Sequence, residues 1–410
     1  MFSRINAAAR QRVLHVGRWV CLAIPVGLMA GVLSAAFIEA LDWATNTRTS
    51  RDWLIWLLPL AGLVVGVTYS TLGRGTERGS NLIIEQIHDH TTGIPGRIVP
   101  VIFGASVVSH VFGASVGREG AALQLAAGAT DPLARRLRLN ATDRSLLLIA
   151  AIAGGFGSVF GVPVAGAIFA LEVQRVGRVR YEALVPAFVA SFVGDAVVRG
   201  LGIEHTHFPV LPDIAWSADL AWRTVVFGVI AGLIALAFSA STHAVRDITA
   251  RLISIPAARP ALGAVVIVAM VVLLDWRDYQ GISLQLALDA QAGSAAAQWG
   301  AKFAMTVVSL GVGFVGGEVI PLVVIGALVG ASYADLTGSN IALFATIGSV
   351  AVLAGAANTP LACTVLGLEL FGGNGVMFFA VACAAAYAAS GRTGIYHSQH
   401  VAVAKHSPRA

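Results

Sequence analysis

Two glutamates lie where a carboxylate can do the most in a chain of this kind. Glu119 sits in GREG and Glu318 in GGEV, each beside glycines and each followed by a long apolar run. A run that opens after glycine reads as a helix start, which presents free amide N–H groups and the positive end of a dipole. An ionised carboxylate there competes with a diffusible anion for the same amides, and protonation releases it. Glu119 could therefore gate an anion path and carry a proton with one group. The plainer alternative is a first-turn glutamate that caps the dipole or pairs with Arg118. A second carboxylate near an anion is costly unless it is protonated or hydrogen-bonded, so Glu318 could donate to the anion or relay a proton to Glu119.

A repeat links the two. PVAGAIFALE, Pro163 to Glu172, aligns with PLACTVLGLE, Pro360 to Glu369, and a glycine-flanked glutamate precedes each copy by 44 and 42 residues. Aligned in this way, Glu119 and Glu318 are counterparts. Two halves offset by nearly 200 residues are the pattern of a transporter built from internal repeats, with its site where the halves meet.

The elements that must hold these residues are membrane helices. Of the 410 residues 57% are apolar and only 12% charged, and the mean hydropathy is +0.78. So few charges cannot cover a water-facing surface, which excludes soluble enzymes, nucleic-acid binders and disordered scaffolds. Apolar stretches recur at about 20–41, 53–73, 97–130, 143–172, 183–203, 221–242, 258–274, 300–333, 341–371 and 376–390. They are too long and continuous for barrel strands, so an all-α bundle follows. GASVGREGAAL, GGFGSVFGVPVAG, GVGFVGGEVIPL and AGAANTPLACT break these stretches, either as close packing through small residues or as helices that stop and restart inside the membrane.

The basic N-terminal stretch ends without a cleavage site, so the first apolar run is expected to stay as a helix. Arginines cluster at 4–18, 74–78, 135–144, 175–180 and 246–259 and thin out near 42–52, 197–207 and 275–280, which predicts a cytoplasmic N-terminus. The expected layout is an N-terminal segment 1–18, one transmembrane domain 19–400 with halves at about 19–205 and 215–400, and a short tail 401–410.

The motifs resemble those of the CLC chloride channels and anion/proton antiporters over about residues 15–400. Gly117-Arg118-Glu119-Gly120-Ala121 is similar to the family's GREGP, Gly317-Glu318-Val319-Ile320-Pro321 to its GxFxP, and Gly79-Ser80-Asn81-Leu82-Ile83 to its GSGIP. The glutamate inside the GxFxP-like motif resembles the bacterial CLC-type fluoride/proton antiporters. So does Val173, which stands where chloride/proton exchangers place a second, cytoplasm-facing glutamate. Ser80 aligns with a chloride-binding serine that the fluoride branch usually lacks, and Ile320 stands where a threonine is expected.

The resemblance implies a CLC-type fold with two inverted-topology helical repeats and broken helices, and a homodimer in the bilayer with one pathway per subunit. It implies fluoride, or alternatively chloride, exchanged for protons across the bacterial inner membrane, or a passive anion channel of the same fold. Glu119 and Glu318 would gate and move protons. Ser80, Gly117, Arg118, Val319, Ile320 and Tyr396 would surround the anion, Tyr396 through its hydroxyl. Read alone, Tyr396 would be an interface tyrosine and Ser80 the cap of a helix starting at Asn81.

No enzyme constellation, cofactor, metal or nucleic-acid partner is expected. Cys21, Cys363 and Cys383 lie in apolar runs without metal spacing. His88, Asp89 and His90 read as a solvated connector, as do Glu204, His205 and His207. Glu172 and Glu369 read as helix ends near positive loops, and Lys302 as a lysine snorkelling from a helix start.

Overall fold

A computed structural model describes residues 2–89, 93–293, 298–402 and 405. His90 and most of the tail 401–410 lie outside the described residues. Among the described residues sixteen α-helices follow one another in two sets of eight. The first set is α1 Phe2–Thr49, α2 Leu58–Thr71, α3 Ser80–His88, α4 Ile98–Val111, α5 Glu119–Arg136, α6 Ala141–Phe160, α7 Pro163–Glu172 and α8 Leu184–Gly200. The second is α9 Ala218–Leu252, α10 Arg259–Leu273, α11 Leu284–Gln291, α12 Trp299–Val312, α13 Val319–Thr337, α14 Ile341–Ala357, α15 Pro360–Phe371 and α16 Val376–Ala389. The sets correspond helix by helix, and each begins with a long helix. The first helix, expected from about residue 20, already begins at Phe2, so residues 2–18 of the expected N-terminal segment belong to α1.

The expected breaks are present. The stretches 97–130, 143–172, 300–333 and 341–371 each become two helices, separated at 112–118, 161–162, 313–318 and 358–359. A helix of 14 residues such as α4 or α12 rises only about 21 Å, short of the ~30 Å hydrocarbon core. Its partner must therefore complete the crossing. Left-handed residues end several of them: Gly161 at φ 74°, Gly313 at φ 102° and Asn358 at φ 60°. Matching caps open α6 and α14, where Asn140 accepts from the Asp143 N–H at 2.8 Å and Asn340 from the Leu343 N–H at 2.9 Å.

The two sets are related by a pseudo-twofold axis, which makes contacts reciprocal. The Ser115 N–H donates to Ser309 Oγ at 3.0 Å, and the Val315 N–H donates to Ser109 Oγ at 3.3 Å. Glu172 and Glu369 are exchanged across the axis. Glu172 accepts from the Leu361 and Ala362 amides at 3.2 and 2.9 Å, and Glu369 from the Val164 and Ala165 amides at 3.0 and 2.6 Å. Each carboxylate thus closes the open start of the other repeat's helix, α15 or α7. Glu172 does end α7 beside Arg175, Arg178 and Arg180, as expected, and the capping across the axis is an added role.

Direction is inverted between the sets. The end of α1 lines one large cavity with residues 277–289, whereas the end of α9 faces the opposite cavity, lined by residues 65–81, Arg246 and Pro256. Among the described residues seven helices are long and apolar enough to cross a membrane. Close crossings use small residues: Gly326 on α13 faces Gly348 on α14, with no room for a Cβ on either.

Candidate functional site

The site is built on a bridge between two glycines. Gly117 and Gly317 exchange N–H···O bonds in both directions, each 2.7 Å long, just before α5 and α13 begin. A Cβ at 117 would lie 2.7 Å from Pro321 Cδ, and one at 317 would lie 2.5 Å from the Gly120 nitrogen. Only glycine lets the two backbones meet here, and the bridge brings two positive helix ends to one point near the axis.

Glu119 is folded back into that point. Its Oε2 accepts from the Arg118 N–H and from the Ile320 N–H, both at 3.2 Å, so one oxygen takes amides from both helix starts. Ile320 contributes through its backbone, and the apolar side chain in place of an expected threonine does not alter that bond. Oε1 has no hydrogen bond, and its near charge is Arg118 Nε at 3.6 Å. Glu119 is fully buried. A carboxylate held by converging amides occupies a place whose electrostatics suit an anion.

The repeat register differs from the alignment by glutamates. Gly117 faces Gly317, so Glu119 corresponds to Val319 and Glu318 to Arg118. Glu318 is the residue before α13, not inside it, and approaches from the other side of the bridge. Both Glu318 Oε2 and Ser80 Oγ lie 3.5 Å from where a Cβ of Gly120 would stand. Glu318, Ser80 and Tyr396 line one cavity of about 650 Å³, together with Gln124, Arg74 and Arg246. Arg118 lines a different cavity of about 830 Å³ at the opposite face. Buried Glu119 belongs to neither cavity wall and sits between them. Val319 and Ile320 are buried behind it.

Ser80 does not cap a helix at Asn81. It is the first residue of α3, after Gly79 at φ 56°, and its Oγ donates to the Gly120 carbonyl at 3.4 Å and accepts from Gln124 Nε2 at 3.3 Å. Tyr396 is no interface tyrosine: it is 2% exposed and its hydroxyl has no partner. A strap holds it in place. The Ile395 N–H donates to the Ala356 carbonyl at 2.9 Å, the Ser398 N–H to Asn81 Oδ1 at 3.0 Å, and Gln399 Nε2 to the Val173 and Ala357 carbonyls, each at 2.7 Å.

Of the eight residues singled out by sequence, seven gather around the bridge, whereas Arg118 joins them through its backbone N–H and turns its side chain to the other cavity. Gln124, Asn81 and Gln399 were not singled out; a glutamine four residues after Gly120 on an otherwise small and apolar turn was the one available signal. Three further plain readings are corrected. Lys302 does not snorkel: it is fully buried, and its Nζ donates to Ser115 Oγ at 2.9 Å, the Gly281 carbonyl at 2.8 Å, Ser283 Oγ at 3.2 Å and the Tyr279 carbonyl at 3.3 Å. His88 is packed, with Nε2 3.0 Å from the Gln174 carbonyl and its ring stacked on His400. His205 meets the Ser158 carbonyl at 2.8 Å under the end of α6. Among the described residues no cluster could hold a metal ion.

The model of the family described as voltage gated chloride channel matches residues 61–391. A chloride/fluoride channel protein of Pseudomonas syringae pv. tomato is 44% identical over 402 residues, covering 96% of this chain and 88% of that protein. The crystal structure of a CLC-type fluoride/proton antiporter superposes with a TM-score of 0.91 at 30% identity, over 95% of this chain and 99% of that one. A slow cyanobacterial Cl⁻/H⁺ antiporter, 18% identical, shares the fold with a TM-score of 0.77 over 91% of this chain and 94% of that one.

Proposed function

Because the chain belongs to the voltage-gated chloride channel family, we propose that this multi-span membrane protein exports fluoride in exchange for protons across the bacterial inner membrane, as a homodimer with a cytoplasmic N-terminus. The observation that carries the reading is the pair of carboxylates on either side of the Gly117–Gly317 bridge. Glu119 is folded into the amides of both helix starts, and Glu318 stands in the opposite cavity with Ser80 and Tyr396.

The cycle follows from this arrangement. Ionised Glu119 fills the anion place and blocks the path between the two cavities. A proton on its carboxylate removes the charge that the Arg118 and Ile320 amides hold, and the neutral side chain yields to an anion. Tyr396, whose buried hydroxyl lacks a partner, and Ser80 supply donors on the Glu318 side. Fluoride is small, basic and strongly hydrogen-bonding, so a protonated Glu318 can donate to it and afterwards pass its proton toward Glu119. Glu318 thereby replaces the glutamate missing at Val173. The neighbouring Glu172 is not free for that task, since both of its oxygens hold the start of α15.

The relative named a chloride/fluoride channel protein and the fluoride/proton antiporter structure agree with this reading. Ser80 in the site favours a second one, chloride/proton exchange. Purified protein in sealed liposomes, followed with fluoride and chloride electrodes and a pH dye, separates them. A fluoride gradient should drive proton movement and a chloride gradient much less. Fluoride flux that leaves pH unmoved would make the protein a channel, and stronger chloride-driven proton movement would make it a chloride exchanger.

A further inference from the structure

On the Arg118 side of Glu119 the protein buries more positive charge than it neutralises. Arg118 is 7% exposed, and Arg48 is part-buried on the last turn of α1. Both line the cavity of about 830 Å³. The Nε atom of each is buried without a hydrogen-bond partner. Among the described residues Arg48 makes no ion pair, and Arg118 has only Glu119, at 3.6 Å. Lys302 lies nearby in its cage of four oxygens, one of them Ser283 Oγ, whose residue lines the same cavity. Buried His110 also has an Nε2 without a hydrogen-bond partner.

Carboxylates do face this cavity, but from its rim. Asp42, Asp52, Asp278 and Asp289 are exposed, and Asp52 is engaged with Arg277 at 3.1 Å. The floor therefore holds two guanidinium groups with unused donors, next to the one carboxylate that must leave during the cycle. When Glu119 leaves, Arg118 loses its ion pair, and a buried cation without counter-charge is costly unless an anion completes it.

We infer that the floor of this cavity is a second anion station, where Arg48 and Arg118 hold a small monovalent anion one step outside Glu119. The inference rests on the transport reading above but not on which halide is carried. The station gives the departing anion a place to stand while Glu119 returns to its amides. It also draws incoming anions toward a gate that is closed by a like charge. The exposed aspartates at the rim limit how tightly the anion is kept, so it is released to solvent.

The test uses full-length protein in liposomes with fluoride and chloride as the probes, run on whichever of them the protein carries. Arg48→Gln should raise the half-saturating anion concentration on the Arg48 face about tenfold, with turnover at saturation near that of the unmodified protein, whereas Arg48→Lys should stay within about threefold. In a Cys21→Ser background, Arg48→Cys should behave like Arg48→Gln. An impermeant aminoethyl reagent attached from that face should restore affinity, and a neutral hydroxyethyl reagent should not. Unchanged half-saturation in Arg48→Gln would overturn the station, as would equal rescue by the neutral adduct, because the side chain would then only fill space. Should Arg48→Gln fail to fold, the two adducts on Arg48→Cys decide alone. A protein that carries chloride and not fluoride would refute the fluoride reading yet leave this comparison intact.

Discussion

Replacing Glu119 by glutamine changes the gate's charge while keeping its shape, and the two amides it holds bound the size of the effect. They come from Arg118 and Ile320, at 3.2 Å each. A hydrogen bond to a charged group contributes about 1.5–3 kcal/mol and a neutral one about 1, so the carboxamide gives up roughly 0.5–2 kcal/mol per amide, or about 1–4 in all. At 1.4 kcal/mol per decade, a diffusible anion should displace the glutamine about 5- to several hundred-fold more readily than it displaces ionised Glu119. Purified Glu119→Gln protein offers two readouts. Calorimetric titration with fluoride near pH 7 should give a correspondingly lower Kd than the wild type. In liposomes, fluoride should still leak while the pH dye stays flat, since the amide carries no proton. Unaltered affinity would mean that the carboxylate does not compete for the anion place. Persistent fluoride-driven proton movement would remove Glu119 from the proton route.

Three other outcomes are expected. Exchanging Glu318-Val319 for Ile-Phe should lower the preference for fluoride over chloride and weaken proton coupling; wild-type selectivity and coupling in paired electrode and pH-dye traces would take away the main support for fluoride. Ser80→Ala, which removes a hydroxyl bonded to Gly120 and Gln124, should weaken anion binding by about 0.5–3 kcal/mol and slow both halides without changing the exchange ratio, and unchanged affinity by titration would take Ser80 out of the anion's surroundings. Gly317→Ala places a Cβ 2.5 Å from the Gly120 nitrogen, which should cost about 1–3 kcal/mol in melting experiments in detergent and abolish flux; normal melting and transport would mean that the glycine bridge is not the partition between the cavities.

How much of the structure is legible in the chain depends on the range of the interactions involved. Helix starts at Glu119 and Val319 are local events, written in the glycines that precede them, and both were legible. So were the breaks at Gly161 and Asn358, because a left-handed residue and a following proline act within a few positions. The alignment of Glu119 with Glu318 failed because it matched residue type, whereas the backbone pairing of Gly117 with Gly317 fixes the register one residue away. Lys302 was misread because hydropathy cannot report oxygens supplied by Tyr279, Gly281 and Ser283 from another loop. Tyr396 owes its position to a strap whose anchors, Asn81, Val173 and Ala357, are scattered over the whole chain.

The exchange of Glu172 and Glu369 between the halves has a consequence for how the protein is made. The amides of Val164 and Ala165 open α7, and their acceptor lies about 205 residues downstream. At ~5–20 residues per second of synthesis, the nascent first half waits about 10–40 s before Glu369 exists. Throughout that interval two amides at the start of α7 lack their final acceptor, and the Gly117 bridge lacks its other side. A chain truncated after α8 should therefore persist as a loosely packed intermediate, open to membrane proteases, until the second half arrives. Supplied as a separate polypeptide, that second half should rescue it, since these reciprocal bonds join one half to the other and none depends on the link between α8 and α9.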